Sequence, residues 1–128
     1  MHLIGGINIE NLLKAQNKFE QFRKNLASEQ EKAGAVQAFE FCYELAWKTI
    51  KRLLEQPSKQ IYSPRDAFRE GAIAGLITTP DRWFEFIQIR NLTVHTYDER
   101  NIEVVIATFE NFSKNLADLV QNIKNFKC

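Results

Sequence analysis

From residue 102 to residue 126 the chain places Ile102, Val105, Phe109, Phe112, Leu116, Leu119, Ile123 and Phe126 in steps of three and four. A strand cannot present that spacing to one side. An α-helix turns about 100° per residue, so the same spacing draws one apolar stripe along one face. A helix of this kind persists in water chiefly because another element covers its stripe. The run VVIAT inside it is β-prone alone but falls within the helical register. The period recurs at Leu12, Ala15, Phe19, Phe22 and Leu26, and again at Phe39, Cys42, Ala46, Ile50 and Leu53. In the latter segment Phe41, Leu45 and Trp47 add a second apolar side, so more than one neighbour is expected to cover it.

Between these segments lies QPSKQIYSP, a break that holds two of the three prolines. Ser63 followed by Pro64 reads as the cap and first residue of a shorter helix, PRDAFREGAIAGLI. Thr79 and Pro80 repeat the device and start DRWFEFIQIRNL. No Asn-Gly turn and no sustained alternation mark a strand. The expected fold is all-α: an antiparallel up-and-down bundle of about five helices, three long and two short, in a single domain over residues 1–128. A chain of this length buries roughly two-thirds of its unfolded surface, enough for a core without staples.

The two cysteines, Cys42 and Cys128, have no CxxC or Cys/His-rich surroundings, so neither a disulfide framework nor a zinc site is expected. The apolar runs are too short to cross a bilayer, and the opening MHLIGGINIE lacks the regions of a signal peptide. A cytoplasmic protein is therefore expected, with no membrane partner.

A net charge of +1 argues against a dedicated DNA binder, whose affinity comes from phosphate contacts. A small local site for a nucleotide or an RNA strand remains open. From residue 60 to 113 every cation is Arg: Arg65, Arg69, Arg82, Arg90 and Arg100. Arg suits bidentate phosphate contacts, though each could equally pair with a neighbouring acid such as Asp66, Glu70, Asp81 or Glu85. The i+4 ridge Glu40, Glu44, Lys48 and Arg52 reads as a solvated, partly ion-paired face. No Glu-x-x-His accompanies it, so no metal site is expected there.

Arg90, His95 and Tyr97 crowd into RNLTVHTYDE, between two apolar segments. Thr96-Tyr97-Asp98-Glu99 fits a capping box, so a helix is expected to begin near Thr96. In one continuous helix Arg90 and His95 would stand about 140° apart. Either the helix breaks between them or a site uses Arg from one subunit and His from another. On spacing alone, a His at a helix junction is more often a hydrogen-bonded structural residue than a catalyst.

RNLTVHTY is Arg-x4-His-x-Tyr, with polar Asn91 directly after Arg90. It resembles the signature of the HEPN superfamily of small helical nucleotide-binding and ribonuclease domains. QAFEFCYELAWKTIKRLLEQ, SPRDAFREGAIAGL and RNLTVHTYDE stand in the order seen in one subgroup, the nucleotidyltransferase substrate-binding proteins. Val94 is a mild departure, at a position where a small polar residue is expected. The resemblance implies a homodimer that works with a separately encoded minimal nucleotidyltransferase. It implies a metal-independent ribonuclease toxin with Arg90 and His95 catalytic and Tyr97 adenylylated by the partner. It also allows a non-catalytic subunit that holds the partner's substrate. No cofactor is implied. The chain has no Gly-Ser followed by paired Asp, so it does not itself transfer nucleotides.

Overall fold

The computed structural model describes residues 3–95 and 98–126. It opens with a short antiparallel hairpin, β1 (Leu3–Ile4) and β2 (Ile7–Asn8). Gly5 and Gly6 both adopt positive φ, 54° and 82°, as a two-residue hairpin turn demands. This corrects the expectation that no strand forms: Gly-Gly between apolar pairs supplies the turn that Asn-Gly would have. Six helices follow: α1 (Glu10–Phe22), α2 (Glu29–Leu54), α3 (Pro64–Ile73), α4 (Pro80–Leu92), α5 (Glu99–Ala107) and α6 (Phe109–Lys124), with a 3-10 turn at Thr93–His95 after α4.

Local chemistry fixes most of these boundaries. Ser28 caps α2 in a reciprocal box: its hydroxyl accepts from Glu31 N and the Glu31 carboxylate accepts from Ser28 N. That box starts α2 well ahead of its apolar stripe. Ser63 caps α3 as expected, accepting from Asp66 N at 3.2 Å. Thr79 precedes α4 but its hydroxyl makes no cap bond; it donates instead to Asn115 on α6. α1 ends at Phe22, so Leu26 packs on the core from a loop rather than from the helix.

The long C-terminal stripe is not one helix. It divides at Thr108, whose hydroxyl donates to the Val104 carbonyl four residues back, at 3.1 Å. Such back-bonding bends helices. The apolar period survives the bend, which is why it gave no warning. Asp98 caps α5, accepting from Arg100 N at 2.9 Å, and Glu99 becomes the first helical residue; Thr96 lies outside the described residues.

α2 is the central element, packing against α1, α3, α4 and α5. The core along it is aromatic. Phe112 of α6 meets Phe19, Phe39, Trp83 and Phe86, with ring centroids 4.7 to 5.8 Å apart. Trp83 and Phe86 are buried here, and Phe84, Ile87 and Ile89 are partly covered, so one chain already absorbs much of the WFEFIQI run. On α2, Trp47 and Leu45 are half-buried and Phe41 is exposed. Cys42 is wholly enclosed, and burial pushes its thiol up to about 12, with the Glu20 charge adding to the effect. It is an apolar core residue. No helix among the described residues is long and apolar enough to cross a membrane.

Candidate functional site

Arg90 occupies the last turn of α4, where α4 packs against the middle of α2. Its side chain is only 25% exposed and is turned onto α2. One guanidinium nitrogen lies 3.5 Å from Glu40 and donates to the Thr93 hydroxyl at 2.9 Å. Thr93 in turn donates to the Arg90 carbonyl at 2.7 Å, closing a loop that clamps the end of α4. Arg90 Nε faces Glu44 at 3.8 Å, an ion-pair distance beyond hydrogen-bond reach. It is buried and has no hydrogen-bond partner. Buried donors are normally satisfied, so this N–H is an unmade bond among the described residues, on a guanidinium that is mostly covered.

The two carboxylates are the acidic half of the ridge that the sequence marks as solvated. The ridge is partly ion-paired, as expected, but its acidic half is less open than its basic half: Arg90 of α4 pairs with Glu40 and Glu44, while Lys48 and Arg52 are exposed. Glu44 is further held by Trp47 Nε1, which donates at 3.0 Å, and lies 3.8 Å from Lys48. Beside it, burial first and then the Glu44 charge push the Tyr43 phenol up to about 12, against the pull of Arg90 and Arg65. Tyr43 therefore stays neutral at physiological pH.

His95 ends the 3-10 turn and is exposed. Its carbonyl accepts from Asn101 Nδ2 at 3.0 Å and from Asp98 N at 3.2 Å, tying the turn to the start of α5. The α-helix thus breaks between Arg90 and His95. A 3-10 turn advances about 120° per residue, so His95 stands about 160° around the axis from Arg90, close to the opposite side. Asn91 is exposed directly after Arg90. Tyr97 lies outside the described residues.

The remaining arginines of the cluster are accounted for one by one. Arg69 pairs with Asp66 at 3.5 Å, Arg82 with Glu85 at 3.2 Å and Arg100 with Asp98 at 3.3 Å. Glu70 pairs with Lys59 instead of an arginine, and Arg65 lies over the Phe84 ring. Along α4, one turn before Arg90, a groove of about 490 Å³ runs between Glu85, Gln88 and Ile89 and the α5–α6 bend at Val104, Thr108 and Asn111. Among the described residues no three His, Cys, Asp or Glu side chains group to hold a metal ion.

An aromatic-cored helical bundle carrying a clamped arginine at a helix end and a histidine on the following turn defines a class of small helical domains. The chain belongs to the nucleotidyltransferase substrate-binding protein family, described as "nucleotidyltransferase substrate binding protein like", whose model matches residues 7–125. It is 35% identical over 97 residues to the Haemophilus influenzae protein named probable ribonuclease HepT, covering 72% of this chain and 66% of that protein, just under two-thirds of its length. Its structure resembles that of a Haemophilus influenzae protein whose fold is described as a substrate binding domain of a nucleotidyltransferase. That pair has a TM-score of 0.81 and 29% identity, over 91% of this chain and 99% of the other. A Thermus thermophilus protein shares the fold at a TM-score of 0.79 and 22% identity, over 88% of this chain and 98% of the other.

Proposed function

We propose that this protein is a metal-independent endoribonuclease of the cytoplasm, acting as a toxin beside a separately encoded minimal nucleotidyltransferase. Arg90 stabilises charge on the scissile phosphate and His95 is the acid or base. The likeness to a protein named as a probable ribonuclease supports the reaction. The break in the helix supports a shared site: Arg90 is turned onto α2, and His95 ends the 3-10 turn after α4, where ideal helix geometry would set it on the opposite side. One copy does not aim both at one atom, so the active site is shared between two copies of a homodimer. Phe41 and Val94, exposed beside these elements, are the apolar surface such a dimer would cover. His suits the proton transfer because its ordinary pKa lies near neutrality, and the attacking group is the RNA 2′-OH, which excludes DNA. Wild-type protein in excess chelator should still cut RNA and leave 2′,3′-cyclic phosphate ends; cleavage that stops with chelator rules the mechanism out.

Glu40 and Glu44 then act as positioning residues for Arg90. The double change Glu40→Gln, Glu44→Gln is expected to cost no more than about 1 kcal/mol of stability, because these pairs are partly solvated. It should lower kcat on the order of tenfold by loosening the guanidinium. KM should fall with it, since the phosphate no longer competes with two carboxylates. Unchanged kcat and KM would leave the two acids a structural role only.

Tyr97 is the proposed site of silencing. A partner nucleotidyltransferase directs the Tyr97 phenolic oxygen onto the α-phosphate of ATP, forming the aryl phosphodiester of AMP and releasing pyrophosphate. The added phosphodiester charge opposes an RNA phosphate at Arg90. After incubation with partner, ATP and Mg²⁺, wild type is expected to gain the mass of AMP units, and Tyr97→Phe none at that site, while still cutting RNA. An unchanged wild-type mass with an active partner would remove modification from the scheme.

A second reading is a non-catalytic subunit that holds the partner's substrate. The pairing of Arg90 with two carboxylates and the 490 Å³ groove beside α4 favour it, since the groove has the size of a small-ligand site. Cleavage activity lost in His95→Ala separates the two.

A further inference from the structure

We infer that Arg65, held over the Phe84 ring, is a second phosphate-binding residue for the RNA strand seated at Arg90, an inference that rests on the ribonuclease reading. Of the arginines between residues 60 and 113, Arg69, Arg82, Arg90 and Arg100 each pair with an acid. Arg65 pairs with none among the described residues, and the acids nearest it on α3 are engaged, Asp66 by Arg69 and Glu70 by Lys59. Its side chain is exposed, and its guanidinium carbon sits 5.0 Å from the Phe84 centroid. A guanidinium resting on an aromatic face keeps its in-plane N–H donors for an incoming phosphate and loses less freedom on binding it.

The placement matches a strand running from Arg90. Phe84 precedes Arg90 by six residues on α4, roughly 9 Å along the axis, within reach of a neighbouring phosphate of one strand. One turn beyond Arg65, Phe68 touches the Tyr43 ring at 5.9 Å, and Tyr43 adjoins the Glu44 that faces Arg90. Three residues before Arg65, Tyr62 is 78% exposed and offers a ring on which a base can stack. Two local guanidinium contacts also reconcile RNA binding with a net charge of only +1.

The test is binding of a short single-stranded 2′-O-methyl oligoribonucleotide, which cannot be cleaved, to the full chain over a series of salt concentrations. Arg65→Ala should weaken binding about tenfold at low salt. It should reduce the slope of log affinity against log salt by about 0.7, the loss of one phosphate contact. Arg65→Lys should keep the slope and lose part of the affinity. The melting temperature should not move, and with unmodified RNA the change should fall on KM and not on kcat. Binding by Arg65→Ala indistinguishable from wild type overturns the inference, as does a wild type that does not bind the oligonucleotide at all. Arg65-dependent binding by a wild type that cleaves no RNA supports the contact while removing the ribonuclease reading.

Discussion

Replacing either Arg90 or His95 by Ala is expected to lower RNA cleavage on the order of 100-fold or more, the usual loss for a proton-transfer group or a transition-state charge stabiliser. The two single variants differ in what else they change. Arg90→Ala leaves Glu40 and Glu44 without the cation between α4 and α2 and removes the donor to the Thr93 hydroxyl, so some stability goes with the activity. His95 is exposed at the end of its turn, and its backbone carbonyl contacts to Asn101 and Asp98 survive the substitution. His95→Ala therefore keeps the backbone contacts that tie the turn to α5. Mixing the two inactive variants is the sharper measurement. If each site takes Arg90 from one copy and His95 from the other, a mixed dimer regains one intact site, and activity returns in part. Two inactive variants that stay inactive after verified subunit exchange would mean that both residues serve one chain, and full activity in His95→Ala would remove it from the chemistry.

Phe112→Ala should have the largest effect on stability, about 3–5 kcal/mol. Its ring is fully buried and meets four aromatic partners drawn from α1, α2 and α4, all of them edge-on. Neighbours on three helices cannot all collapse into the space it leaves, so the cavity penalty adds to the lost burial. Against a typical domain stability of about 5–15 kcal/mol this is a large fraction, and Tm should fall by roughly 10–20 °C. Phe41→Ala is the comparison: with the ring 56% exposed in one chain, the cost should stay within about 0.5 kcal/mol. A much larger cost at Phe41, dependent on protein concentration, would show that ring buried between two copies. A Phe112→Ala cost below about 1 kcal/mol would contradict the packing described.

Much of the helical content was legible because burial writes itself into the sequence at helical spacing. Phe39, Cys42, Ala46 and Ile50 on α2, and Val105 through Ile123 on α5 and α6, are buried as their periods required. Ser63-Pro64 located α3 because a cap acts through its own next turn. The misses were also local in kind but depended on alternatives of similar energy. Thr108 could have stayed in a straight helix, and Asp98 supplies a cap for α5 that the reading did not single out. Gly5-Gly6 supported a hairpin that a search for Asn-Gly passed over.

The sequence by itself determined the class of fold, through its periods, and the family, through Arg-x4-His-x-Tyr and the blocks around it. Tertiary structure alone decided what surrounds Arg90. Glu40 and Glu44 form one ridge with Lys48 and Arg52 in any α2, and nothing in that spacing says which half is covered. The answer came from where α4 crosses α2, which is set by the fit of Trp83 and Phe86 against Phe68 and Phe112. A helical period records that a face is buried. It carries no record of the partner, because contacts between residues far apart in the chain are chosen by shape and packing across the whole core.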